Sequence, residues 1–191
     1  MKVLYYTNSD IEDEKIIPDI IKKLTKDEIL FWDQKIDLNF IKKHKINFIV
    51  SDRSRYKISE DVINFLHKKI INLHPSFLPW NKGYYPNYWS IIDQTPHGVT
   101  IHYIDSGIDT GDIIARTEFV YSTSNDTLKT SYERLRTLMV SLFENCWKDI
   151  RNQNVGSKKQ EKGIGKNYKK KDFEGKFEKL SNGWNTKIKN L

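Results

Sequence analysis

The fold is decided by residues 46–74, INFIVSDRSRYKISEDVINFLHKKIINLH, where two short apolar runs flank an amphipathic stretch. Ile46–Val50 and Ile70–Leu73 have the length and branched side chains of buried strands, and Ser59–Lys69 has the apolar spacing of a helix. A strand, a helix and a second strand in close succession are typical of a parallel pair joined by a helical crossover. The stretch therefore predicts an α/β fold.

The same alternation extends toward the amino terminus. The residue pattern predicts strands at Lys2–Thr7 and Glu28–Trp32, and helices at Ile11–Leu24 and Leu38–His44. Asn8, Ser9 and Asp10 supply turn or N-cap chemistry before the first of these helices. Four strand-helix alternations predict a Rossmann-like, mostly parallel sheet with helices on both faces. Such sheets bind ligands outside the carboxyl ends of their strands, so the loops after Val50 and Leu73 are the expected site.

Beyond residue 74 the pattern continues with less regular spacing. The predicted elements are a helix at Pro86–Gln94, strands at Gly98–Ile104 and Ile113–Tyr121, a turn-rich connection at Asp105–Asp112, and a long helix at Asn125–Asn152 capped by Ser124 or Asn125. Residues 1–155 are interpreted as one domain. Residues 156–191 are interpreted as an extended, lysine-rich tail with a short hairpin around Lys169–Phe177.

The positive charge of the chain lies in that tail. Between residues 158 and 189 there are eleven lysines and four acidic residues, an excess that equals the net charge of the whole chain, +7. The preceding domain is thus close to neutral, and the basic composition does not by itself indicate a nucleic-acid partner.

Composition also predicts a location. The single cysteine, Cys146, has no partner for an intramolecular disulfide, which favours a reducing compartment. No apolar run approaches the ~18 residues of a membrane span, and the start MKVLYYTNSD lacks the apolar segment of a signal peptide. We therefore expect a cytoplasmic protein without a membrane partner.

Asn72 and His74 form the densest grouping of chemically useful side chains. They lie two residues apart at the end of a predicted strand, so both face the same side. An amide donates to a carbonyl oxygen that gains negative charge, and an imidazole exchanges protons near neutral pH, so the pair suits acyl transfer. An Asn-x-His pair also arises by chance, and such a histidine more often satisfies a local hydrogen bond.

Acidic residues and glycines crowd a second segment. Asp105, Asp109 and Asp112 are interspersed with Gly107 and Gly111 directly after a predicted strand, which indicates a loop with special backbone angles. The alternatives are a turn stabilised by aspartate side chains and a calcium-binding loop. The calcium-loop pattern closes on a glutamate that is missing here, so no metal is expected.

Together, INLHPSFLPWNKGYYPNYWS at 71–90 and HGVTIHYIDSGIDTGDII at 97–114 resemble the folate-dependent formyltransferase family. The resemblance includes the order and spacing of both motifs, and it implies that residues 1–155 are a formyltransferase catalytic domain. It implies a catalytic triad of Asn72, His74 and Asp109, the last matched through Asp109-Thr110-Gly111. It also implies 10-formyltetrahydrofolate as the co-substrate, without a metal.

The mechanism implied by the resemblance is direct transfer, in which a neutral amine attacks the formyl carbon. Asn72 and His74 stabilise the oxygen of the tetrahedral intermediate, while Asp109 orients His74 and helps to relay the proton of the attacking nitrogen. In relatives the pterin lies against the backbone of two loops. The matching positions imply folate contacts at Tyr56, Lys57, Ile58, Tyr103, Asp105 and Gly107.

The branches of this family differ in the amine that they formylate. Glycinamide ribonucleotide formyltransferases have a Gly-rich phosphate loop after the first strand, whereas residues 6–14 contain four acids and no glycine. Methionyl-tRNA formyltransferases have a C-terminal barrel, for which the residues after the long helix are too few. The Asn-Lys-Gly-x-x-Pro-Asn-x-Trp stretch at 81–89 resembles the nucleotide-sugar branch. It implies substrate contacts at Asn81, Lys82, Tyr84 and Tyr85, with the lysine binding a diphosphate.

The expected function is transfer of a formyl group to a nucleotide-linked amino-dideoxy sugar, for example a dTDP-4-amino-4,6-dideoxyhexose used in a surface glycan or O-antigen. The expected partners are the sugar nucleotide, the folate and a second copy of the chain in a homodimer, without nucleic acid. Two alternatives stay open. One is transfer to methionyl-tRNA or another amine, and the other is a folate-binding relative that releases formate.

Overall fold

Among the residues that the computed structural model describes, 1–8 and 15–191, six strands form one sheet. In chain order the strands are β1 (Lys2–Thr7), β2 (Glu28–Trp32), β3 (Phe48–Asp52), β4 (Ile70–His74), β5 (Lys82–Gly83), β6 (Gly98–Tyr103), β7 (Ile113–Glu118) and β8 (Asn167–Tyr168). The large sheet has the order β2-β1-β3-β4-β6-β7, and β5 pairs separately with β8.

The sheet is parallel on one side and antiparallel on the other. β1 pairs in parallel with β2 and β3, and β3 pairs in parallel with β4. β6 then runs antiparallel to β4, and β7 antiparallel to β6. The register places Asn72 of β4 opposite His102 of β6. The predicted Rossmann-like, mostly parallel sheet is confirmed.

Helices cover both faces of the sheet. They are α1 (Ile16–Thr25), α2 (Leu38–Lys43), α3 (Glu60–Leu66), α4 (Pro86–Ile92), α5 (Leu128–Arg151) and α6 (Lys170–Phe173). Alternate side chains of β1 enter opposite cores: Val3 packs with α1 and α5, and Leu4 packs with α2 and α3. Trp147 of α5 is the largest side chain that is completely buried.

Several element boundaries differ from the sequence prediction. Helix α5 begins at Leu128, because the side chain of Thr127 accepts the backbone N–H of Thr130 at 3.1 Å; the predicted caps Ser124 and Asn125 lie before it. Helix α3 ends at Leu66, because His67 adopts a φ of +47°. The predicted N-cap residues Ser9 and Asp10, and the predicted start of the first helix at Ile11, lie outside the described residues.

Residues 156–191 are not extended, and no hairpin forms at Lys169–Phe177. Strand β8 instead pairs in parallel with β5, and the predicted hairpin region contains α6. The reason is a third apolar cluster, in which Phe173 and Ile188 pack against Trp89 and Leu128. Each large apolar side chain buried in this way stabilises the fold by about 1.5–3 kcal/mol. The lysine-rich composition of residues 156–191 gave no indication of these buried side chains. The division into domains at residue 155 stays a prediction.

Candidate active site

Asn72 and His74 lie at the carboxyl end of β4, with His74 as its last residue. The alternation of a strand directs both side chains to one side, as the spacing predicted. Asn72 is partly buried, and His74 is only 4% exposed. The carboxyl end of β4 thus places an amide and an imidazole at the same edge of the sheet.

Asp109 reaches the same place from the loop between β6 and β7. Its backbone has a φ of +52°, a left-handed conformation that non-glycine residues seldom adopt. The carboxylate accepts the backbone N–H of Gly83 at 2.8 Å and the amide Nδ2 of Asn72 at 3.1 Å. The loop is closed by Asp105, whose Oδ1 accepts the N–H of Gly107 and the hydroxyl of Thr110.

The imidazole of His74 lies between this carboxylate and a backbone carbonyl. Its Nδ1 is 3.6 Å from Oδ2 of Asp109, and its Nε2 is 3.2 Å from the carbonyl oxygen of Asn81. Since a carbonyl only accepts, Nε2 is assigned the hydrogen in the neutral ring. Nδ1 is then available to take up a proton beside Asp109. The structure therefore brings Asn72, His74 and Asp109 together; their catalytic roles stay a prediction.

Burial and charge set the ionisation of this cluster. Burial lowers the pKa of His74 below its usual range, and the attraction of Asp109 only partly offsets it. Burial acts to raise the pKa of Asp109, but His74, His102 and the N–H of Gly83 outweigh it, so this pKa lies well below its ordinary value. Near neutral pH the cluster therefore contains a neutral imidazole beside a carboxylate.

His102 is a member of the cluster that the sequence did not single out. Its Nδ1 contacts the carbonyl oxygen of Tyr103 at 2.7 Å, and its Nε2 lies 3.2 Å from Nδ2 of Asn72 and 3.4 Å from Oδ1 of Asp109. His102 joins the cluster because the antiparallel register of β4 and β6 sets it opposite Asn72. That register is not visible in the sequence, because a loop and a helix separate β4 from β6.

The predicted folate contacts fall into three groups. Tyr103 and Asp105 line a cleft of about 420 Å³ between α3 and the β6–β7 loop. Tyr56 and Ile58 pack instead in the core beneath α2 and α3, together with Ile104. Lys57 and Gly107 are exposed. Ile104 therefore connects the loop at residues 56–58 with the loop that follows β6. The side chains of Tyr56 and Ile58 contribute to the core and do not line the cleft.

Of the predicted substrate contacts, two have polar groups bound within the protein and two have exposed rings. The amide of Asn81 is buried and donates to the hydroxyl of Thr95 at 2.7 Å. Nζ of Lys82 donates to the carbonyl oxygens of Pro79 at 2.8 Å and Ile164 at 3.2 Å, so this ammonium ties the loop to the tail. Tyr84 and Tyr85 are exposed and stack edge to face, with ring centroids 4.7 Å apart.

Residues 1–8 and 15–191 contain no group of three or more His, Cys, Asp and Glu side chains placed to hold a metal ion. Within the same ranges, no helix has both the length and the apolar character needed to cross a membrane.

Comparison with known proteins identifies the family. Residues 32–145 match the model of the Formyl transferase family. This match covers more than half of the chain, so the protein belongs to the formyl transferase family.

Individual relatives agree with this assignment. The dTDP-4-amino-4,6-dideoxyglucose formyltransferase of Mycobacterium tuberculosis is 38% identical over 106 residues, which are 56% of this chain and 44% of that protein. The Methionyl-tRNA formyltransferase of Syntrophus aciditrophicus is 38% identical over 82 residues, or 42% of this chain and 26% of that protein. The chain thus spans less than half the length of these curated relatives.

A solved structure matches over the whole chain. The formyltransferase PseJ from Anoxybacillus kamchatkensis, in complex with UDP-4,6-dideoxy-4-formamido-L-AltNAc and tetrahydrofolate, is 40% identical with a TM-score of 0.91. The match covers 100% of this chain and 97% of that chain, so it includes the tail.

Proposed function

We propose that this protein transfers a formyl group from 10-formyltetrahydrofolate to the amino group of a nucleotide-linked amino-dideoxy sugar. The observation that carries the proposal is the convergence of Asn72 and His74 from strand β4 with Asp109 from the β6–β7 loop, with Nδ2 of Asn72 3.1 Å from the carboxylate. An amide donor, a neutral imidazole and a carboxylate are the groups that formyl transfer to an amine needs.

Each group of the site has a part in this reaction. 10-Formyltetrahydrofolate supplies the formyl carbon, which exchanges its bond to the folate nitrogen for one to the substrate amine, while the amine proton passes to the folate nitrogen. Nδ2 of Asn72 donates to the formyl oxygen as negative charge develops on it. Nδ1 of His74 takes up the amine proton and then donates it to the departing folate nitrogen, while Asp109 stabilises the imidazolium that forms in between.

The folate is expected in the cleft that Tyr103 and Asp105 line. Gly111 lines the same cleft and is two residues from Asp109, so the cleft adjoins the catalytic loop. PseJ was solved with tetrahydrofolate, which supports this co-substrate.

The sugar nucleotide is supported by two observations. PseJ was solved with a UDP-linked formamido sugar, and the mycobacterial relative is named for a dTDP-linked amino sugar. Directly after Gly83, which binds the catalytic carboxylate, Tyr84 and Tyr85 expose their rings, and the ring of Trp184 lies 5.3 Å from that of Tyr85. Exposed aromatic faces of this kind suit a base or a sugar.

The remaining parts of the proposal rest on the sequence. A cytoplasmic location is inferred from the single cysteine, and use of the product in a surface glycan or O-antigen is inferred from the resemblance to the nucleotide-sugar branch. A homodimer also stays a prediction.

Mass spectrometry tests the function directly. Purified protein is incubated with 10-formyltetrahydrofolate and a panel of UDP- and dTDP-linked amino-dideoxy sugars, and the products are screened for the gain of one formyl group. We expect transfer to at least one sugar nucleotide, and little release of formate without an amine. The proposal would be overturned if the protein formylated charged initiator tRNA but no sugar nucleotide, or if it released formate rapidly without any acceptor.

A further inference from the structure

The left-handed backbone of Asp109 is held by one side chain from the tail. Nε2 of Gln160 donates to the carbonyl oxygen of Asp109 at 2.8 Å and to that of Gly111 at 2.8 Å. A side-chain amide has two hydrogens, so each carbonyl can receive one of them. A single residue therefore braces both sides of Thr110 at the turn that carries the catalytic carboxylate.

The orientation of the Gln160 amide is determined by its surroundings. With Nε2 against two carbonyls, Oε1 is buried and accepts no hydrogen bond from the described residues. Exchanging the two atoms would place an acceptor against two acceptors, which is unfavourable in a buried site. The contact consequently requires a donor with two hydrogens at this position.

Gln160 itself is presented by a fixed backbone. Two residues earlier, Lys158 exchanges two hydrogen bonds with Ile113, the first residue of β7, each 2.8 Å long. Ile113 comes shortly after the Asp109 loop, so the segment with Gln160 is fastened to the strand that this loop enters. The amide is thus held in register with the loop.

We propose that Gln160 is a positioning residue for formyl transfer, which holds Asp109 in the left-handed conformation that points its carboxylate at Asn72 and His74. This inference rests on the proposed function for its kinetic consequence. It assigns part of the active-site geometry to a segment outside the sheet and outside both sequence motifs. A left-handed backbone costs free energy for a residue with a side chain, and the two hydrogen bonds from Gln160 offset this cost and favour the conformation seen at Asp109.

The backbone N–H of Gly83 reports the position of the carboxylate without any substrate. It donates to Oδ2 of Asp109, whereas the neighbouring N–H groups of Lys82 and Tyr84 donate to the carbonyl oxygens of Lys166 and Tyr168. Hydrogen exchange of these three amides, followed by NMR, therefore separates displacement of Asp109 from general loosening of the tail.

Gln160→Leu removes both donors without adding charge, and Gln160→Glu turns the donor into a repelled acceptor of the same shape. In Gln160→Leu we expect the Gly83 amide to exchange about tenfold faster, and the Lys82 and Tyr84 amides to change less than about twofold. We expect kcat to fall about tenfold in Gln160→Leu and further in Gln160→Glu. The KM values for the folate and for the sugar nucleotide should each stay within about twofold of the wild type. The matched control is Gln153→Leu, at an exposed position of the same connection.

Asp109→Ala serves as the positive control for the Gly83 amide. Unchanged exchange at Gly83 in Gln160→Leu, or equal acceleration of all three amides, would overturn the positioning role, since the second result describes a general anchor of the tail. A normal kcat in Gln160→Leu would overturn it as well. If the wild-type protein formylates no sugar nucleotide, the proposed function fails, while the exchange measurement still decides the role of Gln160.

Discussion

The active site is assembled from two kinds of backbone. Asn72 and His74 belong to β4, where hydrogen bonds to strands on both sides and a pleated backbone fix the direction of their side chains. Asp109 belongs to a loop and has a φ of +52°, a left-handed conformation that residues with a side chain adopt less readily than glycine. One half of the site is thus positioned by regular structure, and the other by contacts from residues far along the chain.

The difference separates two causes of function loss. Changes to the strand half remove a reacting group and leave the geometry intact, whereas changes around the loop half move a reacting group that is still present. The first kind should lower kcat without altering stability. The second kind should alter stability or hydrogen exchange together with kcat.

The largest effect is expected for Asp109→Asn. The amide oxygen can still accept the N–H of Gly83, but the amide nitrogen would then face Nδ2 of Asn72, which is also a donor, and the charge that stabilises the protonated His74 is lost. General acid–base groups contribute about 10²- to 10⁴-fold, and we expect kcat to fall in that range. The melting temperature should fall as well, because a carboxylate whose pKa is lowered in the folded state stabilises the fold near neutral pH. Steady-state kinetics and thermal denaturation measure both. A loss of less than about threefold would show that Asp109 is not in the proton path; Asp149→Asn, at an exposed position of α5, is the control.

Asn72→Ala should follow closely. Removing one donor to a developing oxyanion lowers kcat by about 100- to 1000-fold. Single-turnover formylation, followed by mass spectrometry, measures the loss. The exposed Asn154→Ala is the matched control. Near-normal turnover in Asn72→Ala would remove the strand half from the mechanism.

His97 shows the effect of burial on a histidine pKa without the opposing effect of a carboxylate such as Asp109. Burial alone lowers its pKa to about 4, whereas the fall of the His74 pKa is partly offset by Asp109. Because the folded pKa lies below the unfolded value of about 6.5, the unfolded chain binds the proton first, and stability is lost as the pH falls from about 6.5 to about 4.

Urea unfolding of the wild type and His97→Gln at several pH values measures this contribution. We expect the wild type to lose about 3 kcal/mol more than the variant between pH 7 and pH 4, on the scale of 1.36 kcal/mol per pKa unit. Parallel pH profiles for the two proteins would contradict the assignment.

The smallest effect concerns the contact between the tail and the loop before β5. Gly165 has a φ of +73°, and a Cβ there would come within 2.0 Å of the carbonyl oxygen of Pro79. Gly163 has a similar φ, +78°, but a Cβ there would meet nothing within 4 Å. Alanine at either position pays the cost of a left-handed backbone, but only at Gly165 does it also clash with a neighbouring carbonyl. Comparing the two variants therefore measures the effect of that clash.

We expect Gly165→Ala to be about 1–2 kcal/mol less stable than Gly163→Ala, since backbone must shift in only one of them. Because residues 79–83 lead to the N–H that binds Asp109, kcat should also fall in Gly165→Ala and stay normal in Gly163→Ala. Chemical denaturation and kinetics of the two variants give the answer. Equal stability would mean that the tail does not constrain this loop.

Periodicity and local motifs were sufficient to predict the sheet and the proximity of Asn72, His74 and Asp109. The strand pattern indicated the sheet, and the two-residue spacing placed Asn72 and His74 on one side of β4. Asp109 could be matched through its motif, although the +52° backbone that aims it has no signal in the residue itself. Trp89, the last residue of the 81–89 motif, is a core residue: it is 7% exposed and stacks on Tyr168 with ring centroids 4.1 Å apart.

The sequence was insufficient where contacts join distant residues. His102 depends on an antiparallel register, and Gln160 reaches Asp109 across 51 positions of the chain. The lysines of residues 156–191 dominated the composition, so the apolar side chains of Phe173 and Ile188 were not recognised as core. Lys82 illustrates the same limit, since its ammonium is bound by two carbonyl oxygens that no motif identifies.

The pairing of β5 with β8 imposes an order on biosynthesis. Gly83 emerges from the ribosome long before Tyr168, the residue with which it pairs, so a growing chain carries Asn72 and His74 on a nascent sheet while their acidic partner is still unsupported. Catalytic competence then appears only late in translation.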